Sequence, residues 1–105
     1  MSNDNPVFMI AQLSVTDMPG FFADYAGPLK PINERHGAEL VVGAPAEAVQ
    51  VVEGDYGKNL TVVIRFPNAE AQKAWYSDPD YQPLLKRRFE LTDTALSTLI
   101  VAPAA

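Results

Sequence analysis

The chain contains a single histidine, His36, the one side chain whose ordinary pKa lies near neutrality. In a cleft it would serve as a general acid or base. Because Gly37 follows it, the simpler assignment is a last-turn histidine facing the negative end of a helix that stops at glycine. Glu53 and Asp55 stand two apart, so an extended backbone would present both carboxylates on one face. Paired carboxylates raise one another's pKa and can hold a proton for acid–base chemistry. Gly54 between them favours a turn instead, with Asp55 bonding nearby backbone N–H groups. Trp75, Tyr76 and Tyr81 form an aromatic group. Trp75 is expected in the core, where truncating a buried Trp costs about 3–5 kcal/mol. Tyr76 and Tyr81 carry polar tips suited to a pocket wall. These six side chains are the candidate ligand-pocket residues, and no catalytic residue is assigned.

Other chemistries find few residues to support them. Without cysteine there is no disulfide, thiolate nucleophile or thiolate metal site. One histidine cannot build a histidine-rich metal centre, and no loop motif supports a carboxylate-only one, so no metal or cofactor is expected. Neither a glycine-rich phosphate loop nor a G-x-S-x-G elbow is present. Ser77 and His36 allow a nucleophilic triad by composition, but no spacing points to it. A net charge of −5 argues against nucleic acid or an anionic membrane as partner. The run Lys86-Arg87-Arg88 covers most of a helix circumference and reads as a solvated face, only weakly as an anion site. No apolar run is long enough to cross a bilayer, and the opening MSNDNP lacks signal-peptide features, so the expected location is cytoplasmic.

The elements that must position these side chains follow from periodicity. With 105 residues, 48% hydrophobic and 20% charged, the chain is one globular domain, expected over 6–102, with a disordered leader at 1–5 and a tail at 103–105. Val7 to Val15 alternates as a strand, with Phe8 and Ile10 on its second face. Thr16 or Asp17 caps a helix bearing Phe22, Tyr25, Leu29, Ile32 and His36 as one stripe. Pro28 and Pro31 predict a break near Gly27. Glu39 to Gly43 is a strand, continued after a bend by Ala48 to Glu53. Leu60, Val62, Ile64 and Phe66 share one strand face, Thr61, Val63 and Arg65 the other, and Pro67 stops it. Arg65 is expected to pair with a carboxylate across a dimer. Asn68 caps a short helix; the segment Ser77 to Asp80 restarts another, with Tyr81, Leu85, Arg88 and Phe89 as its stripe and a kink at Pro83. Ala95 to Val101 is the last strand.

This order predicts an α+β, ferredoxin-like antiparallel four-stranded sheet with helices on one face. The second face keeps apolar side chains and needs cover, which a second copy supplies most simply; a two-fold homodimer is expected.

The segment Glu53-Gly54-Asp55, the strand LTVVIRFP, the block AEAQKAWYSDPDYQ and the dipeptide His36-Gly37 resemble the family called domain of unknown function 1330. The chain departs from that pattern at Ala38, where a second glycine is usual. The resemblance implies a dimeric α+β barrel with facing sheets, and it implies no activity. Two functions fit such a barrel. One is binding of a small, partly apolar ligand in the cleft between sheet and helices; the other, by fold analogy, is a cofactor-independent enzyme of the monooxygenase or isomerase type in the same cleft.

Overall fold

The computed structural model describes residues 5–105, so four of the five residues of the expected leader lie outside the described residues. Strands β1 (Val7–Leu13), β2 (Glu39–Pro45), β3 (Leu60–Phe66) and β4 (Thr98–Pro103) form one sheet in the order β2-β3-β1-β4, with every neighbour antiparallel. This is the ferredoxin-like arrangement. Alternation does the sorting: Val7, Met9, Ala11 and Leu13 of β1 are buried beside Leu60, Ile64 and Phe66 of β3. That face carries the helices.

The first helical region is continuous but not uniform. Helix α1 (Met18–Phe21) passes through a π-helical turn (Phe22–Ala26) into α2 (Gly27–Arg35). Asp17 caps it by accepting from Gly20 N–H at 3.0 Å, and a Cβ at position 20 would lie 2.5 Å from Asp17 Oδ2, so glycine fits there. The expected break near Gly27 is therefore a widened turn, in which Gly27 N–H donates to the Phe22 carbonyl. Pro31 withholds one bond without ending α2. The wider turn also moves the buried stripe: Phe21, Tyr25, Leu29 and Ile32 are buried, whereas Phe22, expected to begin it, is half exposed. Gly37, at φ +68°, closes α2, with Ala38 N–H donating to Asn33 O at 2.8 Å and Gly37 N–H to Glu34 O.

Three expectations are corrected downstream. The strand from Ala48 to Glu53 does not form; a 3₁₀ turn at Ala46–Ala48 leads into irregular chain as far as Asn59. Pro45 ends the ladder of an edge strand, and after one more backbone bond, from Ala46 N–H to Asn59 O, the chain turns away. Asn59 anchors the return instead, its side chain bonding both Val15 N–H (2.7 Å) and Val15 O (2.9 Å). Pro83 makes no kink, because it falls in the first turn of α4 (Gln82–Leu91), where no N–H is required. The last strand runs later than Ala95 to Val101: Asp93 accepts from Ala95 N–H and holds a 3₁₀ turn at Thr94–Leu96, so β4 starts at Thr98 and continues to Pro103.

Helix α3 (Ala69–Ser77) is capped by Asn68, which accepts from Ala71 N–H at 2.8 Å. Its Trp75 is fully buried against Phe66 and Tyr81. On the opposite sheet face no helix of the described residues packs. Register places Val42, Val63, Ile10 and Ile100 in one row across all four strands of that face. Arg65 lies on the same face, with the Glu39 carboxylate of the adjacent strand 4.0 Å away within the chain.

Candidate ligand cavity

Between the helix-bearing sheet face and the π turn lies a cavity of about 520 Å³. Its floor is the alternating row Met9, Ala11, Leu13 of β1 with Val62 and Ile64 of β3, and its roof is Phe21, Tyr25 and Leu29. Period two in the strands and period three to four in the helix thus aim both sets of side chains into one space. Polar groups enter the wall at few points, chiefly Tyr25, Asn33 and Arg88, with the exposed Glu47.

Each of the first two polar groups is tied back into the core. The Tyr25 and Tyr81 hydroxyls stand 2.7 Å apart, buried. Burial pushes both phenols above the ordinary value of 10.0, while the nearby Arg88 charge opposes it. Asn33 Oδ1 accepts from Trp75 Nε1 at 2.7 Å, and Trp75 stacks 4.3 Å from Tyr81. Arg88 is different. It is only 6% exposed, its Nε has no hydrogen-bond partner, and no carboxylate of the described residues lies within ion-pair distance of it. The reading of Lys86-Arg87-Arg88 as a solvated face therefore fails at Arg88. Its spacing from Tyr81 and Leu85 turns it inward, whereas Arg87 points out to Asp24 and Glu90.

A second polar cluster pins the end of α2 to the turn before α4. Asp78 Oδ2 receives His36 Nε2 at 2.7 Å and Arg35 Nη1 at 2.6 Å, and Asp78 Oδ1 accepts from Asp80 N–H at 2.9 Å. Arg35 also reaches Asp80 at 3.0 Å. The His36 bond first, then the Asp80 amide, hold the Asp78 carboxyl down at about 2. The arrangement is a joint: three donors converge on one carboxylate, which caps the turn through the Asp80 N–H while the Asp78 backbone carbonyl accepts from Tyr81 N–H.

The six candidate residues fall in separate places. His36 belongs to the Asp78 joint, its ring turned to that carboxylate rather than to the carbonyls of α2. Trp75 and Tyr81 are core, fully buried behind the cavity wall. Tyr76 is 37% exposed beside them. Glu53 and Asp55 border an open trough on the other sheet face, where Tyr56 bonds Thr61. None of the six lines the cavity, although Tyr81 reaches it through Tyr25. Ser77 is not poised for nucleophilic attack, because its hydroxyl donates to the Lys73 carbonyl. The residues missed were Tyr25, Asn33 and Arg88. A signal for Arg88 existed: a cation in the inward stripe Tyr81–Leu85–Arg88 is out of place on a solvated face. Among the described residues no helix is long and apolar enough to cross a membrane, and no three metal-ligating side chains gather.

The family model for a domain of unknown function (DUF1330) matches residues 6–102. The chain belongs to this family. No curated protein matches it. Among solved structures, this DUF1330 domain is similar to a protein of unknown function from Rhodopseudomonas palustris, with a TM-score of 0.80 at 18% identity, over 97% of this chain and 84% of that one. It is similar to a dimeric ferredoxin-like protein of unknown function from Thermobifida fusca, with a TM-score of 0.61 at 11% identity, over 99% and 95%. A candidate monooxygenase from Lactobacillus acidophilus matches with a TM-score of 0.67 at 12% identity, over 92% of this chain but 43% of that one. At these identities the likeness establishes the ferredoxin-like fold.

Proposed function

We propose that this DUF1330 domain works in the cytoplasm as a two-fold dimer and binds a small, predominantly apolar molecule in the cavity between sheet and helices. The observation that carries the reading is the cavity itself: about 520 Å³ walled by Met9, Ala11, Phe21, Leu29 and Ile64, with few polar groups. Binding sites for small molecules have this size and this balance of lining. Protein interiors are otherwise close-packed, so apolar walls left facing empty space forfeit contacts that a ligand restores. Dimerisation is supported by the row Val42, Val63, Ile10 and Ile100 on the sheet face that no helix covers. The Thermobifida fusca protein of the same fold is described as dimeric.

The same cavity supports an enzymatic reading through one feature. Tyr25 and Arg88 both line it, and a phenol and a guanidinium turned to a bound enol or phenol would stabilise negative charge developing there without a cofactor.

Mass spectrometry of small molecules extracted from the purified protein tests the binding reading. The expected result is a co-purifying apolar species in the wild type that is lost in Leu29→Trp, a variant whose larger ring occupies the cavity. Absence of any bound species, together with failure of the neutral dye Nile red to bind, would remove the reading. A bound species returned chemically altered after incubation would favour the enzyme.

A further inference from the structure

Of the two buried charged side chains among the described residues, Asp78 is paired and Arg88 is not. Among the described residues Arg35 and His36 meet Asp78, Arg35 also meets Asp80, Arg65 meets Glu39, and Arg87 meets Asp24 and Glu90. Arg88, at 6% exposure, has an orphaned Nε and no ion pair among the described residues. Among the described residues its guanidinium meets the ring of its own neighbour, Phe89, 5.2 Å from Cζ. Glu47, the carboxylate on the cavity wall, is exposed and forms no ion pair with it. An isolated charge withdrawn from water is strongly unfavourable unless something pairs with it. Arginine cannot escape by losing its proton. Among the described residues the guanidinium is left without an anion, and Arg88 borders the apolar cavity as well as two smaller hollows beside Phe89 and Leu99.

We propose that Arg88 receives the head of the ligand and that the cavity takes a carboxylic acid, as its carboxylate, with an apolar body. This deepens the binding reading above and rests on it. The guanidinium fork matches a carboxylate in two parallel hydrogen bonds. Elsewhere the walls formed by Met9, Leu29 and Ile64 offer an aliphatic or aromatic tail nothing but hydrocarbon. Tyr25, held by Tyr81, lies on the same wall and leaves its phenol oxygen a further lone pair or proton for the head group.

The test is isothermal titration calorimetry of the full chain with decanoate and with the matched alcohol, decanol. Charge-assisted pairing predicts that the wild type binds decanoate about ten- to a hundredfold more tightly than decanol. In Arg88→Met the preference disappears while decanol binding persists; in Arg88→Lys part of the preference returns. Equal affinity of the wild type for acid and alcohol would overturn the role of Arg88 and leave the cavity reading standing, and this arm needs no variant to fold. A preference retained in Arg88→Met would do the same. If the wild type binds neither probe, both readings fall together.

Discussion

The hydroxyl pair between Tyr25 and Tyr81 offers the most direct check of the interior that frames the cavity. The two oxygens are 2.7 Å apart, Tyr81 is fully buried and Tyr25 is 7% exposed. Removing one hydroxyl leaves the other without its partner in a low-dielectric site, at about 1–3 kcal/mol. For a domain of this size each kcal/mol lowers Tm by roughly 4–8 °C, so each single Tyr→Phe change is readily measured by thermal or urea unfolding. The two changes are not equivalent. In Tyr81→Phe the stranded Tyr25 hydroxyl borders the cavity, whereas in Tyr25→Phe the stranded Tyr81 hydroxyl faces packed core. Tyr25→Phe is therefore expected to be the more destabilising. The double variant Tyr25→Phe/Tyr81→Phe removes both polar groups and should be more stable than the sum of the singles predicts, by about 1 kcal/mol or more of coupling. Single variants as stable as the wild type, or a strictly additive double, would refute the pairing. The same pair sets an alkaline limit. Both folded-state values are raised above 10.0 by burial, so their contribution is complete below that value. It is then lost as pH rises above it, because the unfolded state releases protons that the folded state keeps. Phenolate absorbance from Tyr25 and Tyr81 should appear together with loss of the helical circular-dichroism signal.

Two further outcomes follow from the joint and the open face. Asp78 is held at about 2 against an ordinary 3.8, so its contribution is present above the ordinary value and lost as pH falls through the folded one. Urea midpoints measured across that interval should decline in the wild type and much less in Asp78→Asn, while His36→Ala, with Arg35 still on the carboxylate, should fold; an unchanged acid slope in Asp78→Asn would count against the joint. Ile100→Glu places a charge at the end of the uncovered row, where the isoleucine is 53% exposed in the single chain. Sedimentation should show that it shifts the dimer toward a folded monomer, and a wild type already monomeric at micromolar concentration would end the dimer proposal.

The alternation of β1 and β3 was legible because a half-buried strand records its two faces every second residue; Met9, Ala11, Leu60 and Ile64 could be assigned without knowing what packed on them. The caps Asp17 and Asn68 and the stop at Gly37 were legible for a similar reason, since each is satisfied by backbone three residues away or fewer. The misreadings occurred where a segment's fate depends on a distant neighbour. Ala48 to Glu53 has strand composition but no strand to pair with, and Pro31 sits in a helix that its neighbours keep intact.

Sequence by itself determined the ferredoxin-like order of elements, the family, and the existence of two apolar sheet faces, because these rest on local periodicity and on motifs of contiguous residues. Only the tertiary structure decided which polar groups meet. His36 joins Asp78 across 42 positions, Tyr25 joins Tyr81 across 56, and Arg88 meets no carboxylate among the described residues. Hydrogen bonds and ion pairs act over a few ångströms, and only folding brings such distant positions that close.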